Sequence, residues 1–498
     1  MLTAYTSDEI RTAERALMAL LPEGTLMRRA ATALAVACVE ALPRVYGSRV
    51  VLLVGSGDNG GDALYAGALL ARRGARVDAV LAGKRVHEDG LAELTRAGGR
   101  RLGLSQGTSD PAVRALVDRA DVLVDGLVGI GGTGALREPY AGLARLAAGA
   151  PGVVVAVDVP SGVDASTGEV EGDAVTAHLT VTFGAAKAGL LIDPGASRVG
   201  ALRVAGIGLG PYLPEPGVVA LTGPDVAGRL PRPGAESNKY RRGVIGVVAG
   251  SDRFTGAAVL AVAGAVRAGA GLVRFAGAAE PVRQVRARWP EAVTAVVSPG
   301  EDVKDVGRVQ AWVVGPGMGT DDDAHALAAS ALAAGVPALV DADGLTLAAR
   351  DRSLLRRAAP TLITPHTGEL GRLLGVPADE IEARRLYYAR RAAAELGVTV
   401  LLKGSTTLVA EEGGPVRVNL TGTPWLATGG TGDVLAGIAG AYLAGGLSAL
   451  DAASCAAYVH GLAGRAAAGG PGGGEAPIAA LDIARELPGA IRSLVAGG

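Results

Sequence analysis

"WLATGGTGDVLAGIAG", residues 425–440, joins a glycine-rich turn to the beginning of an apolar helix. Glycine lets a ligand approach the backbone closely, and the N–H groups of Gly430, Thr431 and Gly432 lie where the predicted helix begins. Because a helix N-terminus carries partial positive charge, this stretch favours a phosphate. Asp433 falls in the first helical turn, where the same field stabilises its ionised form, so we expect a persistent base for an attacking hydroxyl.

A second interpretation of Asp433 is structural, because an aspartate near the start of a helix often only caps it. The sequence contains no G-x-x-x-x-G-K-[ST] stretch, which excludes a P-loop as the phosphate site. Whether Asp433 is catalytic therefore depends on the other polar residues of the same half.

The composition is that of a globular chain with no preference for polyanions. Its 498 residues exceed one ordinary core, so two or more domains are expected. The 48 Lys and Arg residues balance 49 Asp and Glu residues, and aromatic residues make up 3%, so no nucleic acid partner is expected. No signal peptide or membrane span is recognisable, and Cys38 and Cys455 lie in Ala-rich helical stretches typical of core thiols. A cytoplasmic protein is therefore expected.

Short β-rich runs alternate with helical stretches along both halves of the chain. Continuous apolar strands separated by helices predict parallel sheets covered on both faces. In the first half, helices are predicted near 7–20 and 24–42, and strands at 49–55, 75–83, 121–127, 152–160 and 179–184. In the second half, strands are predicted at 243–251, 271–277, 309–319, 337–344, 361–366 and 397–405, a hairpin at 406–419, and helices from Thr255, about 432 and 449.

Two Pro- and Gly-rich passages, 208–217 and 229–243, separate the halves. We therefore expect two three-layer α/β/α domains, residues 1–215 and 220–498. The tract "GGPGGG" (469–474) is predicted to be a surface loop.

Polar residues follow several predicted strands of the second half. The stretches are "VVGPGMG" (313–319), "LVDADGL" (339–345), "TPHTGEL" (364–370) and "LLKGSTT" (401–407). The carboxyl ends of parallel strands meet at one edge, where open sheets bind ligands. Each stretch also has a plain interpretation, because Asp341 and Asp343 suit turns and Lys403 suits solvent. Taken with Asp433, however, these polar strand ends predict one active site.

The order of these motifs resembles the ribokinase-like ADP/ATP-dependent NAD(P)H-hydrate dehydratases, over roughly residues 220–495. The glycine-rich turn is shared with kinases of vitamin precursors, whereas "TPHTGEL" and "DADGL" favour the dehydratase. The resemblance implies that Asp433 is the base that activates the substrate hydroxyl. It also implies nucleotide contacts at Lys403, Gly404, Ser405, Thr406, Thr407, Gly430, Thr431 and Gly432, and contacts with the hydrated nicotinamide at Ala257, Gly317 and His366.

The chemistry that this resemblance implies is phosphorylation followed by elimination. Hydration of NADH or NADPH leaves a hydroxyl on the carbon beside the ring nitrogen, and hydroxide is a poor leaving group. Phosphorylation by ADP or ATP, with Mg²⁺ screening the charge, makes a good leaving group that the nitrogen lone pair can expel. Loss of a proton then restores the dihydropyridine.

The first half carries G-x-G-x-x-G directly after a strand, in "VVLLVGSGDNGGDALYAG" (50–67). One interpretation is the dinucleotide site of an ordinary dehydrogenase, with Asp78 binding the ribose. Asp78 falls inside its strand, however, and the polar "DNGGD" fills the turn where a pyrophosphate needs bare backbone. Polar residues that also suit ordinary turns follow further strands: Asp125, Asp158, Ser161 and Lys187.

This ordered set resembles the NAD(P)H-hydrate epimerase domain, which has a Rossmann-like fold, over roughly residues 1–212. The resemblance implies that Asp158 is the acid and base at the epimerising carbon, with Lys187 nearby. It implies a K⁺ ion bound by Asn59, Asp125 and Ser161. The implied substrate contacts are Asp158, then Asp58, Asn59, Gly60, Gly61, Asp62 and Ala63, and the loop residues Gly129, Gly131, Gly132, Thr133, Gly134 and Ala135.

We therefore expect a bifunctional enzyme that epimerises the R and S hydrates of NADH and NADPH and dehydrates the S form. Two alternatives stay open: a ribokinase-like vitamin-precursor kinase joined to a scaffold domain, and a nucleotide-binding scaffold whose first domain has lost catalysis. Asp58 and Ala63 depart from the family pattern G-x-G-N-N-G-G-D-G, and Asp58 adds negative charge near the expected phosphate. The expected partners are hydrated NADH or NADPH and ADP or ATP, with no nucleic acid and no membrane, and a homo-oligomer is expected.

Overall fold

The computed structural model describes residues 1–104, 108, 110–298, 300–469 and 474–496. Contacts divide the chain into two compact units, Thr3–Val218 and Val219–Gly498, the second of which includes Met1 and Leu2. Residues 470–473, most of the predicted surface loop, lie outside the described residues. Within the described ranges, no helix has the length and apolar character needed to cross a membrane.

The N-terminal unit alternates strands with helices. Its strands are β1 (Leu2–Tyr5), β2 (Arg49–Val54), β3 (Arg76–Leu81), β4 (Arg100–Gly103), β5 (Val122–Gly126), β6 (Val153–Val157), β7 (Leu179–Phe183), β8 (Ala186–Lys187) and β9 (Ala201–Ala205). Its helices are α1 (Ser7–Met18), α2 (Thr25–Ala41), α3 (Asp58–Arg72), α4 (Glu88–Arg96), α5 (Pro111–Val117) and α6 (Tyr140–Ala147).

Seven of these strands form a parallel sheet in the order β4-β3-β2-β5-β6-β7-β9. Alternate residues of β2 face opposite layers: Leu52 packs in the core that α2 and α3 cover, and Leu53 in the core that α5 and α6 cover. The strand order reverses between β2 and β5, and such a switch point opens a crevice at the carboxyl ends of the strands.

The C-terminal unit repeats this arrangement with more elements. Its strands are β10 (Val218–Ala220), β11 (Val244–Val248), β12 (Leu272–Gly277), β13 (Val293–Val296), β14 (Ala311–Val314), β15 (Ala338–Val340), β16 (Thr361–Ile363), β17 (Thr399–Leu402), β18 (Thr407–Ala410) and β19 (Val416–Asn419). Its helices are α7 (Gly223–Ala227), α8 (Thr255–Arg267), α9 (Ala279–Arg288), α10 (Asp322–Leu332), α11 (Asp343–Arg350), α12 (Thr367–Leu374), α13 (Ala378–Ala383), α14 (Arg385–Leu396), α15 (Thr431–Ala444), α16 (Ala449–Ala468) and α17 (Ala480–Ala496).

Nine strands of this unit follow the order β13-β12-β11-β14-β15-β16-β17-β18-β19. The pairs are parallel from β13 to β17, and the β17-β18 and β18-β19 pairs are antiparallel. The order again reverses between two adjacent strands, here β11 and β14. The predicted α/β fold class is confirmed in both units, and the hairpin predicted at 406–419 is the β18-β19 pair.

Helix α15 lies at the centre of the C-terminal core, with twelve of its fourteen residues buried. Two glycines let α15 and α8 approach backbone to backbone. A side chain at Gly437 would lie 2.0 Å from the carbonyl oxygen of Ala261, and one at Gly264 would lie 2.2 Å from that of Val434. Helices α15 and α8 therefore pack at a distance that leaves no room for a side chain at either glycine.

We predict that Gly437→Ala destabilises the C-terminal unit by about 1–3 kcal/mol, because the added methyl group forces the two helices apart. The three tryptophans, Trp289, Trp312 and Trp425, all belong to this unit, so urea unfolding followed by tryptophan fluorescence reports on it alone. The control is Gly256→Ala in α8, where a side chain would meet no atom within 4 Å. Equal unfolding midpoints for the two variants would contradict the prediction.

Candidate active sites

Side chains that follow β15, β16 and β17 meet at the carboxyl edge of the C-terminal sheet. The Nζ atom of Lys403, which follows β17, lies 2.9 Å from Oδ1 of Asp341 and 3.6 Å from Oε2 of Glu369. The Asp341 side chain is 2% exposed and that of Lys403 is 22% exposed. This ion pair therefore lies largely out of water. The alternative that Lys403 is an ordinary solvent-exposed charge does not hold.

The carboxylates around Lys403 keep it charged. Burial alone would lower its pKa, but the negative charges of Asp341 and Glu369 outweigh burial and raise the pKa of Lys403 above its usual value. Ala342, next to Asp341, has a φ of 49°, a left-handed conformation that is costly for a residue with a side chain. Backbone strain thus lies next to the residue that pairs with Lys403.

The glycine-rich turn ends beside this lysine. Gly430 precedes α15 with a φ of 87°, and a side chain there would lie 2.4 Å from Leu260. A side chain at Gly432 would lie 3.6 Å from Nζ of Lys403, so the ammonium group lies beside the first turn of α15. The start of the helix and the ammonium group together provide positive charge for a phosphate.

Asp433, the third residue of α15, has a pKa unlike the one expected from its position. Burial raises the pKa of Asp433 to about 7, with Asp341 adding to the rise and Lys403 opposing it. The expectation from the helix dipole, that Asp433 is held in its ionised form, is opposed by desolvation and by the neighbouring carboxylates, and the role of Asp433 as a base stays a prediction. A carboxyl group with a pKa near neutrality can both accept and release a proton.

The glycine-rich turn is fixed from inside the protein. Nε2 of His460, a buried residue of α16, lies 3.0 Å from the carbonyl oxygen of Thr431. Burial lowers the pKa of His460 to about 4, so the neutral ring donates this hydrogen bond. The hydroxyl of Thr431 donates to the carbonyl oxygens of Leu426 at 2.8 Å and Thr428 at 3.1 Å. The Thr431 side chain therefore serves the turn, and contacts of Gly430, Thr431 and Gly432 with a nucleotide stay predictions.

The segment Lys403–Thr407, expected to contact the nucleotide, connects the antiparallel strands β17 and β18. Gly404 and Ser405 are exposed at its tip, Thr406 is buried, and Thr407 begins β18. The N–H group of Lys403 donates to the carbonyl oxygen of Pro365 at 2.8 Å, which ties the turn to the end of β16. Gly404 and Ser405 are thus on the surface of the turn, and the nucleotide contacts of this segment stay predictions.

Two of the three residues expected to contact the nicotinamide are neighbours. Gly317 follows β14 with a φ of 61°, and a side chain there would lie 2.7 Å from Cβ of Ala257 in α8. Both residues therefore lie at the switch point between β11 and β14. His366 precedes α12, where its Nδ1 accepts a hydrogen bond from the N–H group of Gly368 at 3.0 Å and its Nε2 lies 3.6 Å from Oε1 of Glu369. The His366 ring is half exposed and caps the helix that contributes Glu369.

The N-terminal unit holds a comparable buried ion pair. Nζ of Lys187 lies 2.5 Å from Oδ1 of Asp158 and donates further hydrogen bonds to Oγ1 of Thr182 at 3.0 Å and the carbonyl oxygen of Phe183 at 2.8 Å. Lys187 is fully buried, and Asp158 has a φ of 64°. The two residues therefore lie together at the carboxyl edge of the sheet, and their catalytic roles stay predictions.

The three residues expected to bind K⁺ lie around the segment 126–129. Asp125 is fully buried and accepts hydrogen bonds from Oγ of Ser161 at 2.6 Å and from its N–H group at 2.8 Å. Nδ2 of Asn59 donates to the carbonyl oxygen of Val157 at 2.7 Å, and a side chain at Gly129 would lie 2.7 Å from its Oδ1. Burial raises the pKa of Asp125 to about 6, because these hydrogen bonds offset the desolvation only in part.

The "DNGGD" stretch forms the first turn of α3, where a free turn was expected. Asp58 is exposed, whereas the next residues are buried. A side chain at Gly60 would lie 2.5 Å from the carbonyl oxygen of Gly55, and one at Gly61 would lie 2.9 Å from His87, so these glycines allow close packing of α3. Ala63, also buried, departs from the family glycine without a steric conflict, since it packs in the core of the unit.

Asp62 is the most unusual carboxyl group of the N-terminal site. Its Oδ1 is buried without a hydrogen-bond partner in the described part of the chain. Burial, followed by the charges of Asp158 and Asp58, raises the pKa of Asp62 well above its usual value. Glu14 of α1 adds to this effect, and its own pKa is raised by burial. Asp62 therefore binds a proton more readily than an ordinary aspartate.

The loop that follows β5 contains the other expected substrate residues. Gly129 lies against Asn59, and a side chain at Gly131 would lie 3.0 Å from the guanidinium of Arg11. The rest of the loop is mostly exposed: Gly132, Thr133, Gly134 and Ala135. Asp78 is the ribose-binding acid of the dehydrogenase interpretation. Its Oδ1 lies instead 2.8 Å from Nε of Arg100, on the neighbouring strand β4.

Several contacts that shape these sites were not predicted. Asp341 and Glu369 lie in quoted motifs, and the order of parallel strands is the signal that would place them beside Lys403. Glu14 lies in an amphipathic helix far along the sequence from the strand ends, and no local pattern indicates its position. Thr182 is an inner residue of an ordinary strand pattern. Such contacts form only when segments that are far apart in the sequence lie side by side in the fold.

The two sheets and their strand-edge sites define an α/β protein whose C-terminal unit is ribokinase-like and whose N-terminal unit is Rossmann-like. The family described as NAD(P)H-hydrate dehydratase matches residues 245–486, and the family described as YjeF-related protein N-terminus matches residues 23–189. The chain belongs to the bifunctional NAD(P)H-hydrate repair enzymes, as its similarity to individual members establishes.

Three comparisons describe that similarity. The bifunctional NAD(P)H-hydrate repair enzyme Nnr of Mycobacterium leprae is 44% identical over 98% of this chain and 99% of its own length. The enzyme of the same name from Mycobacterium tuberculosis is 46% identical over 90% of this chain and 91% of its own length. A crystal structure of the ADP/ATP-dependent NAD(P)H-hydrate dehydratase from Bacillus subtilis, co-crystallised with ATP and Mg²⁺, matches with a TM-score of 0.50 and 30% identity, covering 56% of this chain and 99% of that one.

We predict that the carboxyl group of Asp433 titrates near pH 7 in the free protein, and that Lys403→Met moves its pKa upward, because the lysine is the charge that opposes the rise at Asp433. Carbon-13 NMR of protein labelled at the aspartate carboxyl carbon measures the titration. The signal is assigned by its loss in Asp433→Asn. An Asp433 carboxyl that titrates near the ordinary value of about 3.9 would contradict the prediction.

Proposed function

We propose that this chain repairs hydrated NADH and NADPH: the C-terminal unit dehydrates the S hydrate, and the N-terminal unit interconverts the R and S hydrates. The observation that carries this proposal is the meeting of Lys403, Asp433 and the start of α15 at one sheet edge. That arrangement combines a phosphate site with a proton acceptor, as phosphoryl transfer to a hydroxyl requires. Membership of the repair-enzyme family supports the choice of substrate.

In the first step, Asp433 takes the proton of the substrate hydroxyl while the hydroxyl oxygen attacks the terminal phosphorus of ADP or ATP. The bond from that phosphorus to the bridging oxygen breaks, and the nucleotide leaves one phosphate shorter. Backbone N–H groups at the start of α15 and the ammonium group of Lys403 stabilise the charge on the transferred group. With a pKa of about 7, Asp433 is partly ionised at neutral pH and can accept the proton.

In the second step, the phosphoester is eliminated. The lone pair of the ring nitrogen expels phosphate, the carbon–oxygen bond breaks, and a carbon–nitrogen double bond forms. Loss of a proton from the adjacent carbon then restores the dihydropyridine, so one hydrate and one ATP give NAD(P)H, ADP and phosphate. Lys403 is placed to balance the charge of the departing phosphate.

The site fits a nucleotide that brings its own Mg²⁺. Within the described ranges, no group of three or more His, Cys, Asp or Glu side chains is arranged to hold a metal ion. Mg²⁺ at phosphoryl-transfer sites is commonly bound by substrate phosphates, water and only one or two carboxylates. When bound, Mg²⁺ supplies neutralisation of the phosphate charge during transfer.

In the N-terminal unit, Asp158 is proposed as the acid and base of epimerisation. The carbon that bears the hydroxyl changes configuration when one of its bonds to oxygen or nitrogen opens and re-forms, and each event needs a proton given and taken back. Oδ1 of Asp158 is bound by Lys187, by Oγ1 of Thr182 and by the N–H group of Phe183. Oδ2 is therefore the atom proposed to exchange the proton.

A K⁺ ion fits the oxygen atoms beside the segment 126–129. Asn59, Asp125 and Ser161 would hold it through amide, carboxylate and hydroxyl oxygens, which are the hard ligands that such a cation prefers. Burial raises the pKa of the Asp125 carboxyl group to about 6, and a cation bound beside it would stabilise its ionised form. The expected cytoplasmic location and homo-oligomeric assembly belong to this proposal too.

The proposed function is tested with wild-type protein, mixed R and S NADH hydrates, Mg²⁺ and ADP or ATP, by following the absorbance of regenerated NADH. Complete conversion with either nucleotide is expected, because the epimerase replenishes the S form. Phosphorylation of a vitamin alcohol without any NADH would overturn the dehydratase and favour the kinase alternative. Conversion that stops after the S fraction, with no accelerated R-to-S exchange, would point to an inactive N-terminal unit.

We predict that Asp433→Asn lowers kcat about 100- to 10,000-fold and leaves nucleotide affinity unchanged, because the proton acceptor is lost while the backbone donors remain. In the wild type, kcat/KM should fall as the pH drops below about 7, where Asp433 binds a proton. Steady-state kinetics and calorimetric nucleotide titration measure both effects.

The matched control is Asp451→Asn, since Asp451 is also the third residue of its helix, α16, and follows an ordinary N-cap. This variant should keep full activity. Unchanged turnover in Asp433→Asn would show that Asp433 is not the base and would favour the alternative that it only caps the helix.

We predict that Asp125→Asn lowers the rate of R-to-S exchange about tenfold or more and abolishes its dependence on K⁺, while dehydration of the S hydrate continues. Exchange is measured by chiral separation of the hydrates in K⁺ and in Na⁺ buffers. Asp121→Asn is the control, because Asp121 precedes the same strand at its other end, where it accepts a hydrogen bond from the N–H group of Arg49. A wild-type exchange rate that is the same in both buffers would contradict the proposed K⁺ site.

A further inference from the structure

Helix α14 begins with a buried arginine to which the proposed mechanism gives no role. The Arg385 side chain is only 1% exposed, and its Nη1 lies 2.9 Å from Oε2 of Glu382, whose side chain is 55% exposed. Burial of a guanidinium is costly unless its donors are satisfied. One half-exposed carboxylate does little to offset that cost, so the backbone partners of Arg385 are its distinctive feature.

Those partners belong to the turn proposed to contact the nucleotide. Nη2 of Arg385 lies 3.0 Å from the carbonyl oxygen of Lys403, 3.3 Å from that of Thr406 and 3.4 Å from that of Leu402. The guanidinium therefore joins both sides of the β17-β18 turn from beneath. In a trans peptide the C=O and N–H groups point in opposite directions. The N–H group of Gly404, which shares its peptide with the Lys403 carbonyl, consequently points away from Arg385.

The absence of a side chain at Gly404 leaves room for this guanidinium. A side chain at Gly404 would lie 2.2 Å from Nη2 of Arg385, so the arginine fills the space on the inner side of the turn. Gly404 and Ser405 are exposed on the outer side. The turn thus has an inner face occupied by Arg385 and an outer face open to a ligand.

We propose that Arg385 is a positioning residue for the nucleotide: by binding the carbonyl oxygens of the turn, it presents the backbone of Gly404 and Ser405 to ADP or ATP and holds Lys403 at the phosphate. The inference rests on the proposed nucleotide-dependent function. A lysine cannot reproduce the role in full, because its compact ammonium group lacks the planar fork that reaches several carbonyl oxygens.

The chain offers a matched control in Arg357. Its guanidinium also binds backbone carbonyl oxygens, those of Leu332 and Val336, each at 2.7 Å, and Oγ1 of Thr361 at 3.1 Å. Thr361 begins β16, so Arg357 lies at the amino edge of the sheet, away from the turn. Loss of Arg357 removes a comparable set of hydrogen bonds without touching the proposed nucleotide site.

The test compares Arg385→Met, Arg385→Lys and Arg357→Met in the full-length chain. We expect Arg385→Met to raise the KM for ATP about tenfold or more, with the KM for the hydrate unchanged, because the nucleotide must now order the turn itself. Arg385→Lys should recover only part of the loss. Arg357→Met should lower the urea midpoint and leave both KM values unchanged.

Binding of ADP and ATP with Mg²⁺, measured by calorimetry, provides the second readout and does not depend on the hydrate reaction. A wild type that binds nucleotide but converts no hydrate would defeat the proposed function alone, and the affinities of the variants would still decide the role of Arg385. Should Arg385→Met not fold, Gly404→Ala displaces the turn from an intact arginine and should weaken nucleotide binding similarly. Unchanged nucleotide affinity in the folded Arg385 variants, an equal loss in Arg357→Met, or a wild type that binds no nucleotide would overturn the inference.

Discussion

A lysine paired with a buried aspartate at the carboxyl edge of a parallel sheet organises each unit of this protein. Lys403 pairs with Asp341 in the C-terminal unit, and Lys187 pairs with Asp158 in the N-terminal unit. Removing one partner would leave an uncompensated buried charge, at a cost of about 3–5 kcal/mol. Within the described ranges, the non-glycine residues with positive φ are Asp158 and Ala342, so backbone strain is confined to these same strand ends.

The shared strand order explains why both units place their charges in this way, and local additions explain why their chemistry differs. In each sheet the order reverses between two adjacent strands, and the carboxyl ends of the parallel strands lie at one edge, where the ion pairs form. The C-terminal unit adds the start of α15, whose backbone donors suit a phosphate, and a carboxyl group with a pKa of about 7 at Asp433. The N-terminal unit adds the buried carboxyl group of Asp125, which accepts two hydrogen bonds from Ser161 and is the proposed K⁺ ligand.

The sequence could predict the parallel sheets because strands covered on both faces read as continuous apolar runs, as β2 does. It did not indicate β4 or β9, which lie at the two ends of the seven-strand order and carry Arg100, Arg101 and Arg203. The motifs located the candidate sites, since glycines and polar residues mark strand ends. The pKa of Asp433 and the contacts of Arg385 could not be predicted, because desolvation and bonds between distant strands have no local sequence pattern.

The central claim is that the substrate hydroxyl is phosphorylated before it leaves, and the fate of its oxygen atom tests that claim directly. NADH hydrate prepared in water enriched in oxygen-18 is converted with ATP in ordinary water, and the released phosphate is analysed by mass spectrometry. The account predicts one labelled oxygen in each phosphate formed, because the carbon–oxygen bond breaks after the oxygen has joined phosphorus. Unlabelled phosphate, formed while the hydrate remaining at half conversion still carries the label, would contradict it.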